Sequence, residues 1–170
     1  ILMSTGSVSK GKCDFIFSAL TLMNATIYFN GLFIKPGKPL IFAKFDKFYT
    51  YFFGLPGNPI SSIICVRFFV YHFIRNYFLF TEELGIKVKL SHSIVKKIGF
   101  TVFLKSFLHK KDKFFFIDCM YEQESFKIYS LTKTYFWVLL QSDKKSYNIN
   151  EYVEIFCYEP YSWKNMLYDE

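Results

Sequence analysis

Lys35 and Lys38 bracket a Pro-Gly pair in Lys35-Pro36-Gly37-Lys38-Pro39, and a second loop, Gly54-Leu55-Pro56-Gly57-Asn58-Pro59, follows one short strand-like segment later. Proline fixes φ and removes a backbone donor, while glycine opens conformations closed to other residues, so both loops should be rigid and closely approachable by a ligand. The two ammonium groups then present positive charge at a defined place. In the second loop Asn58 is a good N-cap and Pro59 a good first helical residue, so the loop should end at the free N–H groups of a helix start. Such a start favours phosphate or another oxyanion. The pair of loops therefore predicts an anion-binding edge.

The elements that must position these loops are short and alternate in type. Residues 1–5 read as a buried, parallel-type strand running into a Gly/Ser loop, followed by a helix over 14–23 and a strand over 25–29. Residues 40–45 and 48–53 read as a hairpin turned at Asp46-Lys47, and a long helix begins at Pro59 and fades near Tyr77. This order predicts an α/β layer over residues 1–80, with its loops gathered at one edge, where ligands of open sheets bind. After Thr81-Glu82-Glu83-Leu84-Gly85 the pattern changes to short alternating runs over 86–98, 101–109, 113–121, 126–131, 135–141 and 151–158. Turn signals at Lys110-Lys111-Asp112 and over 142–150 separate them, which predicts a small β-barrel or sandwich over 81–170.

Composition limits the partners. The 170 residues are 52% apolar, ample for a core, and Ile1 opens what reads as the inside of a domain. The formal net charge is +7, yet arginine occurs only at Arg67 and Arg75, and phenylalanine (23) and tyrosine (13) are abundant. Lysine, phenylalanine, tyrosine, isoleucine and asparagine share AT-rich codons, so codon bias accounts for the charge without a polyanionic partner, and the residue best suited to bidentate phosphate contact is scarce. The lysines from Lys87 to Lys113 read as the solvated face of alternating strands, and no nucleic-acid partner is expected. The alternative is an oligonucleotide-binding barrel in which Phe100, Phe103 and Phe107 stack on bases.

Cys13, Cys65, Cys119 and Cys157 are scattered, with no Cys-x-x-Cys pair, which points to reduced thiols in a cytoplasm rather than to zinc. His72, His92 and His109 are equally isolated in sequence and read as surface or packing residues. Residues 60–80 have the length of a membrane span, but Arg67, His72, Arg75 and Asn76 interrupt them, so they read as a buried core helix and no membrane partner is expected. No signal-peptide pattern is visible.

The order of the motifs resembles a known family. Lys-Pro-Gly-Lys-Pro, an aromatic strand, then Gly-Leu-Pro-Gly-Asn-Pro with Ser61 soon after is similar to the molybdopterin molybdenumtransferases, the bacterial MoeA proteins and the gephyrin E domain. Upstream, Ser4-Thr5-Gly6-Ser7-Val8-Ser9-Lys10-Gly11, followed by Asp14, matches that family's Ser-Gly-Gly-Val-Ser loop and its downstream aspartate. The resemblance implies the C-terminal half of a MoaB/Mog-like α/β molybdopterin-binding domain followed by a β-domain, whose recognisable element is Ser130-Leu131 and the apolar strand after it. It also implies molybdenum cofactor biosynthesis, in which molybdate is inserted into adenylylated molybdopterin with Mg²⁺ and AMP is released.

On this resemblance Asp14, Lys35 and Lys38 take the catalytic positions, and Asp14 is also the Mg²⁺ ligand. Ser4, Gly6, Ser9, Pro56, Gly57, Asn58, Pro59 and, in the β-domain, Ser125 take cofactor-binding positions. Read from the residues alone, Asp14 is instead an N-cap for the helix that follows it. The implied partners are molybdopterin, molybdate, a second copy of the full-length chain in a homodimer, and a molybdopterin adenylyltransferase.

Several positions depart from the family pattern. Ser7 stands where a second glycine is usual, Gly31 where a basic residue is common, Glu124 in place of the glycine before Ser125, and Tyr135 in place of an asparagine. The family's acidic Thr-Gly-Asp-Glu element and its Asp-Ser/Thr-Asn segment are not in the sequence. Two readings follow: the C-terminal piece of a molybdenum-insertion enzyme, or a non-catalytic remnant or scaffold module of the same family. Either way, little or no insertion activity is expected of this chain alone.

Overall fold

Apolar residues on both sides of a short strand call for cover on both faces, and that is how the segment between the two Pro-Gly loops is built. In a computed structural model that describes residues 1–8, 15–120 and 135–158, the chain divides into two units, Ile1–Phe78 and Leu79–Glu170. The first unit holds a four-stranded sheet in the order β1 (Leu2–Thr5), β5 (Thr50–Leu55), β4 (Ile41–Phe45), β2 (Thr26–Asn30). Strand β1 runs parallel to β5, and β4 runs antiparallel to both β5 and β2. A two-residue strand, β3 (Ile34–Lys35), lies in the loop between β2 and β4.

On one face, Phe52, Ile41 and Ala43 pack under Val8 and under Leu20 of α1 (Ile16–Leu22). On the other, Phe53 and Leu55 pack under Cys65 and Val70 of a continuous helical run. That run consists of α2 (Pro59–Cys65), a π-helical turn over Val66–Val70, and α3 (Tyr71–Tyr77). Cover from both sides explains why β5 reads as an unbroken apolar string rather than an alternating one. No helix among the described residues is long and apolar enough to cross a membrane. The hairpin turns through a 3₁₀ segment at Asp46–Phe48, with Tyr49 in the left-handed region at φ 50°.

The first strand departs from expectation. Ile1, Leu2 and Met3 read as buried, yet they are 57%, 51% and 51% exposed. The reason is position: β1 is the last strand of the sheet, bonded only to β5 among the described residues. Helix α1 begins at Ile16, with Phe15 at its N-cap making no side-chain cap bond. Asp14, the expected cap, lies outside the described residues.

In the second unit, β6 (Ile86–Leu90), β8 (Thr101–Lys111), β9 (Phe114–Cys119), β10 (Phe136–Leu140) and β12 (Tyr152–Cys157) follow the order β10-β12-β6-β9-β8, and β10 pairs back onto β8. The result is a closed five-stranded barrel. Only β6 and β9 run parallel. Alternate residues such as Val88, Leu90, Ile117, Val138, Val153 and Ile155 fill its interior, as the period of two requires. A small ribbon of β7 (Ile94–Val95) and β11 (Ser146–Tyr147) forms a separate sheet, with Tyr147 and Ile94 packed into the barrel's core. Strand β11 lies within 142–150, which read as turn; Tyr147 is held there because its ring is buried and its hydroxyl accepts the Gln141 N–H at 2.8 Å. The strand expected over 126–131 lies outside the described residues. The fold is thus an α/β layer followed by a small closed β-barrel.

Candidate anion-binding site

Strand register decides where the loops emerge. Thr5 at the end of β1 pairs with Leu55, Ile41 at the start of β4 pairs with Gly54, and Asn30 at the end of β2 pairs with Ile41. The Gly6 loop, the loop carrying Lys35 and Lys38, and the Pro56–Pro59 loop therefore all leave the sheet at the same end. The first and third are in backbone contact. Gly6 N–H donates to the Leu55 carbonyl at 2.9 Å, and a Cβ added to Gly57 would lie 3.4 Å from Gly6 Cα.

The helix start is built as its residues predict, with one consequence for binding. Asn58 Oδ1 accepts the Ser61 N–H at 3.2 Å, Ser62 N–H donates to the Asn58 carbonyl at 2.9 Å, and Ser62 Oγ donates to the Pro56 carbonyl. Pro59 sits in the first turn and has no N–H to offer. The cap thus engages donors that an anion at this helix start would otherwise use. Positive charge has to come from side chains.

Lys35 and Lys38 supply it. Both are exposed, and their loop is pinned by Gly31 N–H to the Leu40 carbonyl and Leu32 N–H to the Lys38 carbonyl, each 2.8 Å. Between them Gly37 is buried at φ +109°, and a Cβ there would lie 3.1 Å from both Cys65 Sγ and Ile34 Cδ1. The Cys65 thiol donates to the Gly37 carbonyl at 3.6 Å, and burial pushes that thiol up to about 12, so it stays a protonated donor. The lysine loop thus leans on the last residue of α2, about 10 Å along the helix from Asn58 at 1.5 Å per residue.

Ser4 lies on β1 opposite Gly54, and its buried hydroxyl has no hydrogen-bond partner among the described residues. Ser9, Asp14 and Ser125 lie outside the described residues. Among the described residues no group of three or more histidine, cysteine, aspartate or glutamate side chains is arranged to hold a metal ion. Ammonium groups, backbone N–H groups and a hydroxyl suit an oxyanion rather than a cation.

Sequence reading missed one cluster, in the barrel. His92 and His109, expected to be isolated, both face Asp118: His109 Nδ1 is 2.6 Å from Oδ2 and His92 Nδ1 is 3.5 Å from Oδ1, with Ser91 Oγ donating to the same carboxylate. Its members come from β8, β9 and the end of β6, so no local spacing signals it. The lysine-rich face is also more structured than a solvated one. Lys89 lies over the rings of Phe114 and Tyr152 at 5.9 and 5.4 Å, and Lys110 lies 6.0 Å from that of Phe115.

No family profile matches the chain. A molybdopterin molybdenumtransferase of Synechocystis sp. is 38% identical over 101 residues, 55% of this chain and 26% of that protein. Another, of Synechococcus elongatus, is 30% identical over 143 residues, 82% of this chain and 34% of that protein. This chain belongs with the molybdopterin molybdenumtransferases. It spans about a third or less of the length of these molybdenumtransferase relatives. In fold it is similar to a molybdopterin biosynthesis MoeA protein of Pyrococcus horikoshii, with a TM-score of 0.69 at 18% identity over 95% of this chain and 38% of the other. At that identity the likeness bears on fold alone, and it extends across both the α/β layer and the barrel.

Proposed function

We propose that this chain carries one edge of a molybdate- and phosphate-binding site of the molybdopterin molybdenumtransferase kind, serving molybdenum cofactor biosynthesis, and that alone it inserts little or no molybdate. The observation that carries this reading is the convergence of three loops at one sheet end, with Gly6 against Gly57 and two exposed lysines on the loop between. Lys35 and Lys38 attract the oxyanion, Ser4 Oγ is an unspent hydrogen-bonding group beside Gly54, and the glycines let backbone approach the ligand. Adenylylated molybdopterin is the substrate class, because its phosphates need such donors. In the whole family the reaction also uses Mg²⁺, which would supply charge neutralisation at phosphate. The described donors do not fit that cation, so no step here runs through it, and Asp14 is its proposed ligand by resemblance only.

A homodimer of the full-length form, an adenylyltransferase partner and a cytoplasmic location belong to the same proposal. Nucleic acid does not: Lys89 and Lys110 lie over aromatic rings of the barrel itself, and arginine is scarce. Equilibrium dialysis against molybdate, phosphate and chloride tests the reading. Millimolar, salt-sensitive binding of molybdate and phosphate is expected, weakened about 5-fold by each of Lys35→Ala and Lys38→Ala, on the scale of ~1 kcal/mol per exposed charge contact. Equal binding by the double variant would sink the site. Robust insertion of molybdate by the purified chain with Mg²⁺ and adenylylated molybdopterin, lost in Asp14→Ala, would overturn the claim of inactivity.

A further inference from the structure

We propose that the tip of the β8–β9 hairpin, residues 110–115, together with Lys89 and Tyr152 beside it, is a contact surface for an anionic lipid bilayer. The contact is separate from Lys35 and Lys38 and does not rest on their anion binding. The sequence expectation of no membrane partner concerns a crossing by residues 60–80, and a surface contact needs no crossing.

The hairpin outruns the other strands of its barrel. Strand β10 pairs with β8 at residues 102–106, and β6 pairs with β9 at Phe116 and Ile117, whereas β8 and β9 pair with one another out to Lys111 and Phe114. Asp112 and Lys113 close the end in a two-residue turn, with Asp112 at φ 56°, so the tip is narrow. Phe115 is in phase with Ile117 and Cys119, which are 0% and 7% exposed in the interior, yet it is itself 49% exposed. The core ends before the strand does. Phe114, on the opposite face, is 64% exposed. Residues 110–115 are exposed without a break, and they run Lys-Lys-Asp-Lys-Phe-Phe.

Charge is set around these rings. Lys110 Nζ lies 6.0 Å from the centroid of the Phe115 ring, and Lys89 Nζ lies 5.9 Å from that of Phe114 and 5.4 Å from that of Tyr152, so one lysine links two exposed rings across three strands. Asp112 is the one acid among residues 109–116. Apolar rings with ammonium groups about them match the boundary of a bilayer, where the rings enter the acyl layer and the lysine stems carry their charge out to the headgroups. A negative leaflet then attracts each lysine. The same composition disfavours other occupants. Lysine is depleted from protein interfaces, a dry contact strips its strongly hydrated ammonium, and these rings cannot be covered without their lysines. Nucleic acid needs open ring faces for stacking and is best gripped by arginine, whereas lysines stand over the rings here and no arginine follows Arg75.

Sedimentation of the full chain with lipid vesicles tests the contact. Vesicles of phosphatidylcholine with phosphatidylglycerol should bind it about tenfold or more tightly than phosphatidylcholine alone, and less as salt rises. Phe114→Ser/Phe115→Ser should weaken binding about tenfold with the charge unchanged, and since both rings already meet water the variant should unfold at the parent's urea midpoint. Lys111→Gln and Lys113→Gln should each weaken it about fivefold. In Phe114→Trp the added emission should move to the blue with anionic vesicles, a shift that adsorption by charge alone does not give. Lys35→Ala/Lys38→Ala should bind vesicles as the parent does, and Phe114→Ser/Phe115→Ser should bind molybdate as the parent does, so failure of the anion reading and failure of this one are distinguishable. No sedimentation with anionic vesicles, equal sedimentation of the phenylalanine variant, or a saturable complex of an oligonucleotide or a second copy of the chain that this variant abolishes would each overturn the assignment.

Discussion

Gly37→Ala puts the lysine loop under a measurable load. At φ +109° the backbone occupies a region that L side chains rarely adopt, and holding alanine there costs ~1–3 kcal/mol. The new methyl meets Cys65 Sγ and Ile34 Cδ1 at 3.1 Å each, tighter than ordinary contact. Both neighbours are buried, at 0% and 8% exposure, so relief requires movement in a packed core, about 1 kcal/mol more. The sum is about 2–4 kcal/mol, a large share of the ~5–15 kcal/mol that stabilises a domain.

Urea unfolding should therefore show the midpoint falling by about 1–2 M, taking a slope of ~2 kcal/mol per molar. Gly57→Ala is the matched control from the other Pro-Gly loop. Its methyl would meet nothing closer than Gly6 Cα at 3.4 Å and its φ is not in the left-handed region, so it should be within about 1 kcal/mol of the parent, and on the stabilising side if unfolded-state entropy dominates. Cys65→Ala should recover part of the Gly37→Ala cost, with a coupling of about 1 kcal/mol, since it removes one of the two clashes. Gly37→Ala within 0.5 kcal/mol of the parent, or a Gly57→Ala cost as large, would refute the reasoning.

Two further outcomes follow from titrating groups. Burial pushes the Cys65 and Cys119 thiols up to about 12, so about one in 10⁴ is thiolate at pH 8, and iodoacetamide should leave both unmodified in the folded chain yet label both in urea; prompt native labelling at both, read by peptide mass, would contradict this. Lys44 and then Thr26 hold the Asp46 carboxyl below its ordinary 3.8, and Lys144 with the Asn148 N–H holds Glu151 below its ordinary 4.5. A depressed carboxylate stabilises above its unfolded pKa and loses that contribution as pH falls through the folded one, so Tm should be flat from pH 7 to about 5 and drop below about 4. Both pairs face solvent, so the drop should be small, shrink in salt and flatten in Asp46→Asn/Glu151→Gln.

How far each feature was legible in the sequence follows the range of the interactions that make it. The cap at Asn58, Pro59 in the first helical turn and the turn after β4 are settled within a few residues, and each is where local chemistry puts it. The helical run through Tyr77 was legible too, but not its π turn at Val66–Val70, because packing rather than composition adds the extra residue. Exposure of Leu2 and Met3 depends on which strand stands last in the sheet, and the apolar run Ile1-Leu2-Met3 carries no mark of its neighbours. The His92–Asp118–His109 group joins three strands of a closed barrel, so it required the tertiary fold. Ser4 was singled out by motif, and among the described residues its buried hydroxyl has no hydrogen-bond partner, which by itself assigns it no role.

Affinity at the anion edge is set by dielectric. Two unit charges 4 Å apart attract by ~1 kcal/mol in bulk water and by ~4 kcal/mol at the effective dielectric of a protein surface. Lys35 and Lys38 stand in water, and the helix start spends its donors on its own cap, so more affinity must come from excluding solvent rather than from further donors. The Debye length at physiological salt is ~8 Å, so an anion held in water at the two exposed lysines loses their attraction as salt rises. Binding at Lys35 and Lys38 should therefore fall steeply with salt, and salt-independent binding would mean that the anion is held by groups out of reach of solvent ions rather than by these two ammonium groups.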